Sequence, residues 1–398
     1  MHIIDGSLAG ADGVDLFDVD GDGDFDAVAG WEESRALRLY QNPGRARVQG
    51  AWPATDISGG LTIGKIEDAR FADLDRDGRL DAVFSAEEKG SEQIAANWLV
   101  PDSSPTQAAS WEGHVLAPVP AYRYIKVAFG DLNGDGLNDV VAGAKTDGMP
   151  GALIWLRTPA TSAKSTGWQA QVIDQLEWVD SLLVVDVDDD GHRDILVNHA
   201  GFLGWYRNPG EPGTSWTRHT ISNHTGPYFA VCPDPQGLLS LVAGADISQH
   251  EAGGRVLYWL QRDAAADSGW TETAITSRQP VPRDQGSRDY QIKGLACGAL
   301  DDNPRPDVAV TISGRGAGVF AVMNLDPAAP TGHALLPIAD VTRNSWKGIK
   351  YDNVELADVD GDGDLDLVTT EENGRSPGWL GFFRPNGIGV LWFENPLR

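Results

Sequence analysis

Five segments of the chain place oxygen ligands at a spacing that suits a hard divalent cation. The pattern D-x-D-x-D-G-x-x-D occurs as Asp18-Asp20-Asp22-Gly23-Asp26, Asp73-Asp75-Asp77-Gly78-Asp81, Asp131-Asn133-Asp135-Gly136-Asp139, Asp186-Asp188-Asp190-Gly191-Asp194 and Asp358-Asp360-Asp362-Gly363-Asp366. Side-chain oxygens at positions 1, 3, 5 and 9 combine with the main-chain carbonyl of position 7, contributed by Asp24, Arg79, Leu137, His192 and Asp364. Such an all-oxygen set is what Ca2+ prefers. Glycine at position 6 permits the sharp turn that aims successive carboxylates inward. The first half resembles an EF-hand loop, but Glu is absent at position 12 and each loop runs into a strand-like stretch such as Asp194-Ile195-Leu196-Val197. Each loop is therefore read as a hairpin site for one structural calcium ion. A merely solvated turn would explain one loop better than five in register.

A second set of reactive side chains lies in the links between repeats. It comprises Lys65 and Asp68; Tyr122, Arg123, Tyr124 and Lys126; Trp178 and Asp180; His224 and Tyr228; Arg288, Asp289, Tyr290 and Lys293; and Trp346, Lys347, Lys350, Tyr351 and Asp352. In a chain of net charge −27, this concentration of cations and aromatics suggests an anionic or hydroxylated ligand. Ten of the 14 tryptophans recur at two packing positions; Trp31, Trp178, Trp346 and Trp379 do not, and they are candidates to stack on sugar rings. His199, His224 and His250 come from adjacent loops and, if they converge, would bind a further divalent metal or serve as acid and base; separate loop histidines is the other reading. Acidic pairs at Glu32-Glu33, Glu87-Glu88 and Glu371-Glu372 recur at one place in three repeats, positioned to meet lysines or simply to balance charge.

Positioning all of these requires a repeating β framework. Two worn copies of the acidic loop, around Asp234 and around Asp301 and Asp307, bring the count to seven, with starts at 18, 73, 131, 186, 232, 299 and 358. The separations of 46 to 67 residues suit four-stranded blades. The last repeat stops after Trp392-Phe393-Glu394-Asn395-Pro396 and lacks an outer strand, which His2-Ile3-Ile4 supplies. The expected fold is thus all-β, a seven-bladed propeller with its N-terminal strand closing the last blade, as one domain over residues 1–398.

Composition narrows the function. The 47 glycines and 23 prolines fit a turn-rich β protein. The acidic balance opposes nucleic-acid binding, which needs a basic stripe. No apolar run is long enough for a membrane helix. Five calcium ions would bring the net charge to −17. Cys232 and Cys297 fall near equivalent places in adjacent repeats, so a bridge is geometrically open to them. No G-x-S-x-G, HExxH or phosphate-loop pattern occurs, which disfavours serine hydrolase, zincin and nucleotide chemistry.

The acidic loops and blade spacing resemble the FG-GAP or VCBS repeat family, the integrin-α type of calcium propeller. That family includes adhesion modules, lectins and carbohydrate-active lyases and dehydratases, and the chain is similar in repeat grammar to aldos-2-ulose dehydratase-like and rhamnose-glucuronate-lyase-like enzymes. The resemblance implies a carbohydrate partner; loops that millimolar calcium would fill point to a secreted or periplasmic/extracellular location, and a monomer is expected. Two functions follow. The first is β-elimination on an acidic or keto sugar, needing a cation, a base and an acid, with candidates His199, His224, Arg123, Arg288, Tyr124, Tyr290, Lys350 and Tyr351. Trp31, Lys65, Lys126, Trp178, Tyr228, His250, Lys293, Trp346 and Glu371 would bind substrate. The second is non-catalytic glycan binding, for which a pocket repeated in several blades is expected. The links differ from blade to blade, which favours one composite site.

Overall fold

The apolar run that leaves each acidic loop becomes the second strand of a four-stranded antiparallel blade. In Asp194–His199 every residue is buried, as expected for an inner strand covered on both faces. The computed structural model describes the chain apart from residues 88–92, 117–121, 147–148, 161–163, 165–166, 200–201, 211–214, 224, 235–236, 246–254, 264–268, 278–290, 314–317, 341–349, 373–387 and 398. Its seven sheets form a seven-bladed β-propeller, and the described residues contain no α-helix.

Blade one is built from Ala11–Phe17, Asp26–Trp31, Ala36–Tyr40 and Ala54–Asp56. Blade two takes Ile66–Ala72, Asp81–Ala86, Gln93–Leu99 and Trp111–Val115; blade three takes Arg123–Gly130, Asp139–Thr146, Met149–Arg157 and Gln169–Leu176. Ser181–Val185, Asp194–His199, Phe202–Arg207 and Thr217–Ser222 make blade four. Blade five holds Thr225–Cys232, Ser240–Ala245, Arg255–Arg262 and Trp270–Ser277, and blade six holds Gln291–Gly298, Asp307–Ser313, Gly318–Val322 and Leu335–Asp340. Between the last two strands of blade six, Thr331–His333 turns aside and pairs in parallel with Trp270–Ser277, giving blade five a fifth strand. Tyr351–Ala357, Asp366–Glu371 and Gly389–Phe393 form blade seven. His2–Asp5 completes it, with His2 opposite Trp392 and Ile3 opposite Leu391.

The chain divides into two compact units, one of residues 12–43 and 52–220, the other of residues 1–11, 44–51 and 221–398. Within the first, apolar layers fill the space between successive blades: Val28, Leu39 and Phe84; then Val83, Trp98, Tyr124 and Ile154; then Val141, Leu153, Ile195 and Tyr206. Within the second, Val242, Trp259, Ile292 and Val310 form one layer, and Ala309, Val319, Tyr351 and Leu391 another. Each large apolar side chain buried this way contributes about 1.5–3 kcal/mol. Third-strand tryptophans are capped by fourth-strand histidines, with ring centroids 4.5 Å apart for Trp205 and His219 and for Trp392 and His2.

The two cysteines form a disulfide between blades five and six, with Cα atoms 5.1 Å apart. Cys232 stands at the loop position where five other blades carry the first aspartate.

Candidate functional site

In every complete acidic loop the position-6 glycine has a positive φ, between 82° and 97°. The turn this allows lets the first aspartate accept that glycine's N–H: Gly23 to Asp18 at 3.0 Å, Gly78 to Asp73 at 3.1 Å, Gly136 to Asp131 at 2.6 Å, Gly191 to Asp186 at 2.9 Å and Gly363 to Asp358 at 3.0 Å. Carboxylate oxygens of Asp18, Asp20 and Asp22 lie within 4.8 Å of one another, as do those of Asp73, Asp75 and Asp81 and those of Asp186, Asp188 and Asp194. One cation with oxygen distances of about 2.3–2.6 Å fits between such atoms. Asp73 Oδ1 is buried with no hydrogen-bond partner, an orphaned acceptor a cation would satisfy. The donor set is hard oxygen throughout, so the residues fit calcium.

The position-9 aspartates do a second job. Asp26, Asp194 and Asp366 are almost wholly buried, and each accepts two main-chain N–H groups, one from its own loop and one from the Asn of the Asn-Pro that ends the third strand. Burial pushes their carboxyls up to about 7, against the pull of those hydrogen bonds. Burial likewise carries Asp81 to about 8 and Asp139 to about 6. A divalent ion beside them would favour the ionised form.

The worn loops depart from the D-x-D-x-D-G-x-x-D sequence. Asp234 of blade five accepts from Ser240 and Gln261 at 3.2 and 2.8 Å, while Asp307 of blade six keeps both main-chain bonds although Ala299 replaces the first aspartate.

Because a loop joins the end of the first strand to the start of the second, the start of the first and the end of the second lie at the other end of each blade. There, in blades one to three, a charged network assembles. Lys145 sets its Nζ 2.5 Å from Glu87, 3.7 Å from Glu67 and 4.3 Å from the centre of the Trp178 ring. Glu32, Glu67 and Glu87 bring oxygens within 4.8 Å of one another. Burial, and then the charge of Asp12, raises Glu67 well above its ordinary value. Glu87 is also buried, yet the Lys145 hydrogen bond and a hydrogen bond from Glu67 hold it below its ordinary value. The two neighbouring carboxyls are thus pushed in opposite directions, an arrangement that separates an acid from a base. Arg123 donates its Nε–H to the Glu87 carbonyl at 3.0 Å, and Lys65 pairs with Glu32 and Glu33 at 2.8 and 2.7 Å. Lys126 approaches Asp68 at 4.0 Å. Trp178 is 45% exposed, so its ring faces solvent above buried charge.

Several expected site residues are placed elsewhere. Trp31 is fully buried and donates its indole N–H to Tyr40 at 2.8 Å, because it ends a central strand whose side chains pack between blades. The exposed, stacking position expected for it is therefore corrected. Tyr124 and Tyr351 are likewise core residues, and the Tyr351 hydroxyl is buried without a hydrogen-bond partner. His199 lies against Phe202 with its Nε2 3.1 Å from the Arg218 guanidinium; burial, then that cation, lowers its pKa. Glu371 is buried and accepts the Ile388 N–H at 2.5 Å. Lys350 pairs with Glu372 and sits 3.7 Å from Asp352, and Lys293 lies 5.8 Å from the Tyr228 ring centre. His224, His250, Arg288, Tyr290, Trp346, Trp379 and Glu88 lie outside the described residues.

Glu67 and Lys145 escaped the sequence reading. Lys145 did carry a signal: it stands six residues after its position-9 aspartate, where Glu32, Glu87 and Glu372 stand after theirs. Glu67 is the second residue of the strand Ile66–Ala72, with nothing in its spacing to mark it.

The FG-GAP-like repeat family matches residues 18–84. No curated protein sequence matches the chain. Among solved structures, YCF48 from Cyanidioschyzon merolae is 12% identical with a TM-score of 0.51, the match covering 99% of this chain and 98% of that one. BBS1N, solved in complex with ARL6DN, is 12% identical with a TM-score of 0.52 over 93% and 92% of the two chains. These likenesses concern the fold. An Agrocybe aegerita lectin described as recognising non-reducing terminal N-acetylglucosamine is 12% identical over 98% of this chain and 82% of the lectin, but its TM-score of 0.39 is too low to bear on this one.

Proposed function

We propose that this chain, an FG-GAP-repeat seven-bladed β-propeller, is a calcium-stapled, extracytoplasmic carbohydrate-active enzyme that cleaves an acidic saccharide by β-elimination at the Glu67, Glu87 and Lys145 cluster. The observation that carries the reading is the cluster itself: Lys145 Nζ lies 2.5 Å from Glu87 and 3.7 Å from Glu67, beside the exposed ring of Trp178. Elimination removes the proton next to a uronate carboxylate, forms a carbon–carbon double bond and expels the glycosidic oxygen, which must be protonated. Glu87 is the proton acceptor in this scheme and Glu67 the donor. Arg123 stands beside Glu87 and would stabilise the charge that builds on the substrate carboxylate. Trp178 supplies an apolar face for a sugar ring. The calcium ions, held by the five acidic loops at the other end of the blades, supply rigidity and take no step in the reaction.

Incubation with a panel of uronate polysaccharides and oligosaccharides tests this, with ultraviolet absorbance of the unsaturated product as readout. Product that disappears in Glu67→Gln and Glu87→Gln supports it. Binding on a glycan array without product would instead make the chain a glycan-binding module.

A further inference from the structure

Blade six sends part of its outer hairpin onto its neighbour. Between the third strand, Gly318–Val322, and the fourth, Leu335–Asp340, Thr331–His333 pairs in parallel with Trp270–Ser277, so the outer edge of blade five is covered at Thr276 and Ser277. Gly332 has a φ of 89°, a backbone turn that residues with side chains rarely adopt, and His333 folds back over the hairpin it ends. Its Nδ1 lies 3.2 Å from the Met323 carbonyl at the root of the hairpin, and its Nε2 lies 3.1 Å from the Ala329 carbonyl further along. A carbonyl oxygen only accepts, so each ring nitrogen must donate to make its bond. A neutral imidazole has one N–H and an imidazolium has two. Both bonds therefore exist together only when His333 is protonated.

We infer that His333 is an acid-dependent latch: as imidazolium it ties both ends of the hairpin together and holds Thr331–His333 on blade five, and on losing its proton it sets a ring lone pair against one carbonyl and loosens that strand. The charged groups on the surrounding elements are engaged elsewhere. Asp326 of the hairpin accepts the Ala328 N–H at 2.9 Å and pairs with Arg305 at 3.2 Å. On the blade-six loop, which also carries Asp302, Asp301 accepts the Asn324 side-chain amide at 3.2 Å and Asp307 its main-chain N–H at 2.6 Å. Glu272 of Trp270–Ser277 accepts the Ser222 hydroxyl at 2.5 Å. Among the described residues the ring thus meets two carbonyls and no carboxylate, and its proton acts through those two bonds. Imidazoles change charge between about pH 5 and 8. The outer edge of blade five is accordingly covered in acid and open to strand pairing above neutrality. The latch needs neither calcium nor substrate.

Amide hydrogen exchange on the whole chain, wild type and His333→Gln, at about pH 5 and pH 8 tests this, with rates corrected for the intrinsic pH dependence of exchange. The amides of Thr276, Ser277 and residues 331–333 are read, with those of the buried strand Asp307–Ser313 as the control that both proteins fold alike. A bond donated by a charged group changes an opening equilibrium by roughly tenfold or more. The wild-type strand should lose about that much protection between the acid and the alkaline buffer, while His333→Gln, which does not titrate, should be equally open in both. Equal protection of the wild type in the two buffers overturns the inference, and so does a pH step of the same size in the variant. If the variant fails to fold, nitrogen-15 NMR of the wild-type imidazole decides. Two bonded N–H groups in acid and one in the alkaline buffer are expected; a ring that is neutral in acid, or whose two N–H groups make no bond, overturns the latch.

Discussion

Asp194 and Asn208 tie the two ends of a hairpin together: the main-chain N–H of Asn208 reaches Asp194 Oδ1 at 2.8 Å, while Oδ2 accepts Val187 N–H at 2.9 Å. The Asn208 amide then donates to the Leu132 carbonyl of the preceding blade at 2.8 Å, and Asn395 does the same to Leu300 at 2.9 Å. Asp to Asn to preceding loop thus links blades four and seven to the blades before them, which gives the Asn of their Asn-Pro endings a structural role.

Asn208→Ala should therefore lower stability by about 1–3 kcal/mol in urea denaturation, since it strands buried carbonyls while sparing every calcium ligand. An unchanged midpoint would show that the inter-blade bond is dispensable.

The Cys232–Cys297 bridge spans 65 residues. Cys297→Ser should cost about 2–4 kcal/mol, because the cross-link limits the freedom of the unfolded chain. Reduction of the wild type should reproduce the loss.

Glu67 gives a pH dependence of definite sign. Its folded-state pKa is raised by burial, so folding retains a proton that the unfolded chain releases; the stability this contributes is complete below the ordinary carboxyl value and declines as pH rises through the raised one. Glu67→Gln, which mimics the protonated acid, should flatten that decline in a series of melts across pH. A wild-type profile equal to that of the variant would mean that Glu67 ionises normally.

Tyr351 is a core residue and not a substrate contact. Its hydroxyl is buried with no hydrogen-bond partner and lies near Glu371. Tyr351→Phe should leave stability unchanged or raise it slightly, and leave product formation intact. Loss of activity without loss of stability would return Tyr351 to the catalytic candidates.

The framework was readable because it repeats. Five loops at blade spacing, the Asn-Pro endings and the missing outer strand of the last repeat all express backbone requirements that recur, and His2–Asp5 duly pairs with Gly389–Phe393. The site was less readable because it does not repeat. Trp31 and Tyr351 looked like ligand contacts from their place in the links, but strand register turns them between the sheets. Glu67 and Lys145, 78 positions apart, meet only because adjacent first and second strands bring them to one end of the blades.

The most direct test of a calcium-stapled propeller is its melting temperature in excess chelator and in millimolar calcium. Five acidic loops that fold around ions the unfolded chain does not bind should make the calcium-loaded protein melt well above the chelated one, with variants at Asp18 or Asp358 losing part of the difference. Equal melting temperatures in the two buffers would contradict the account.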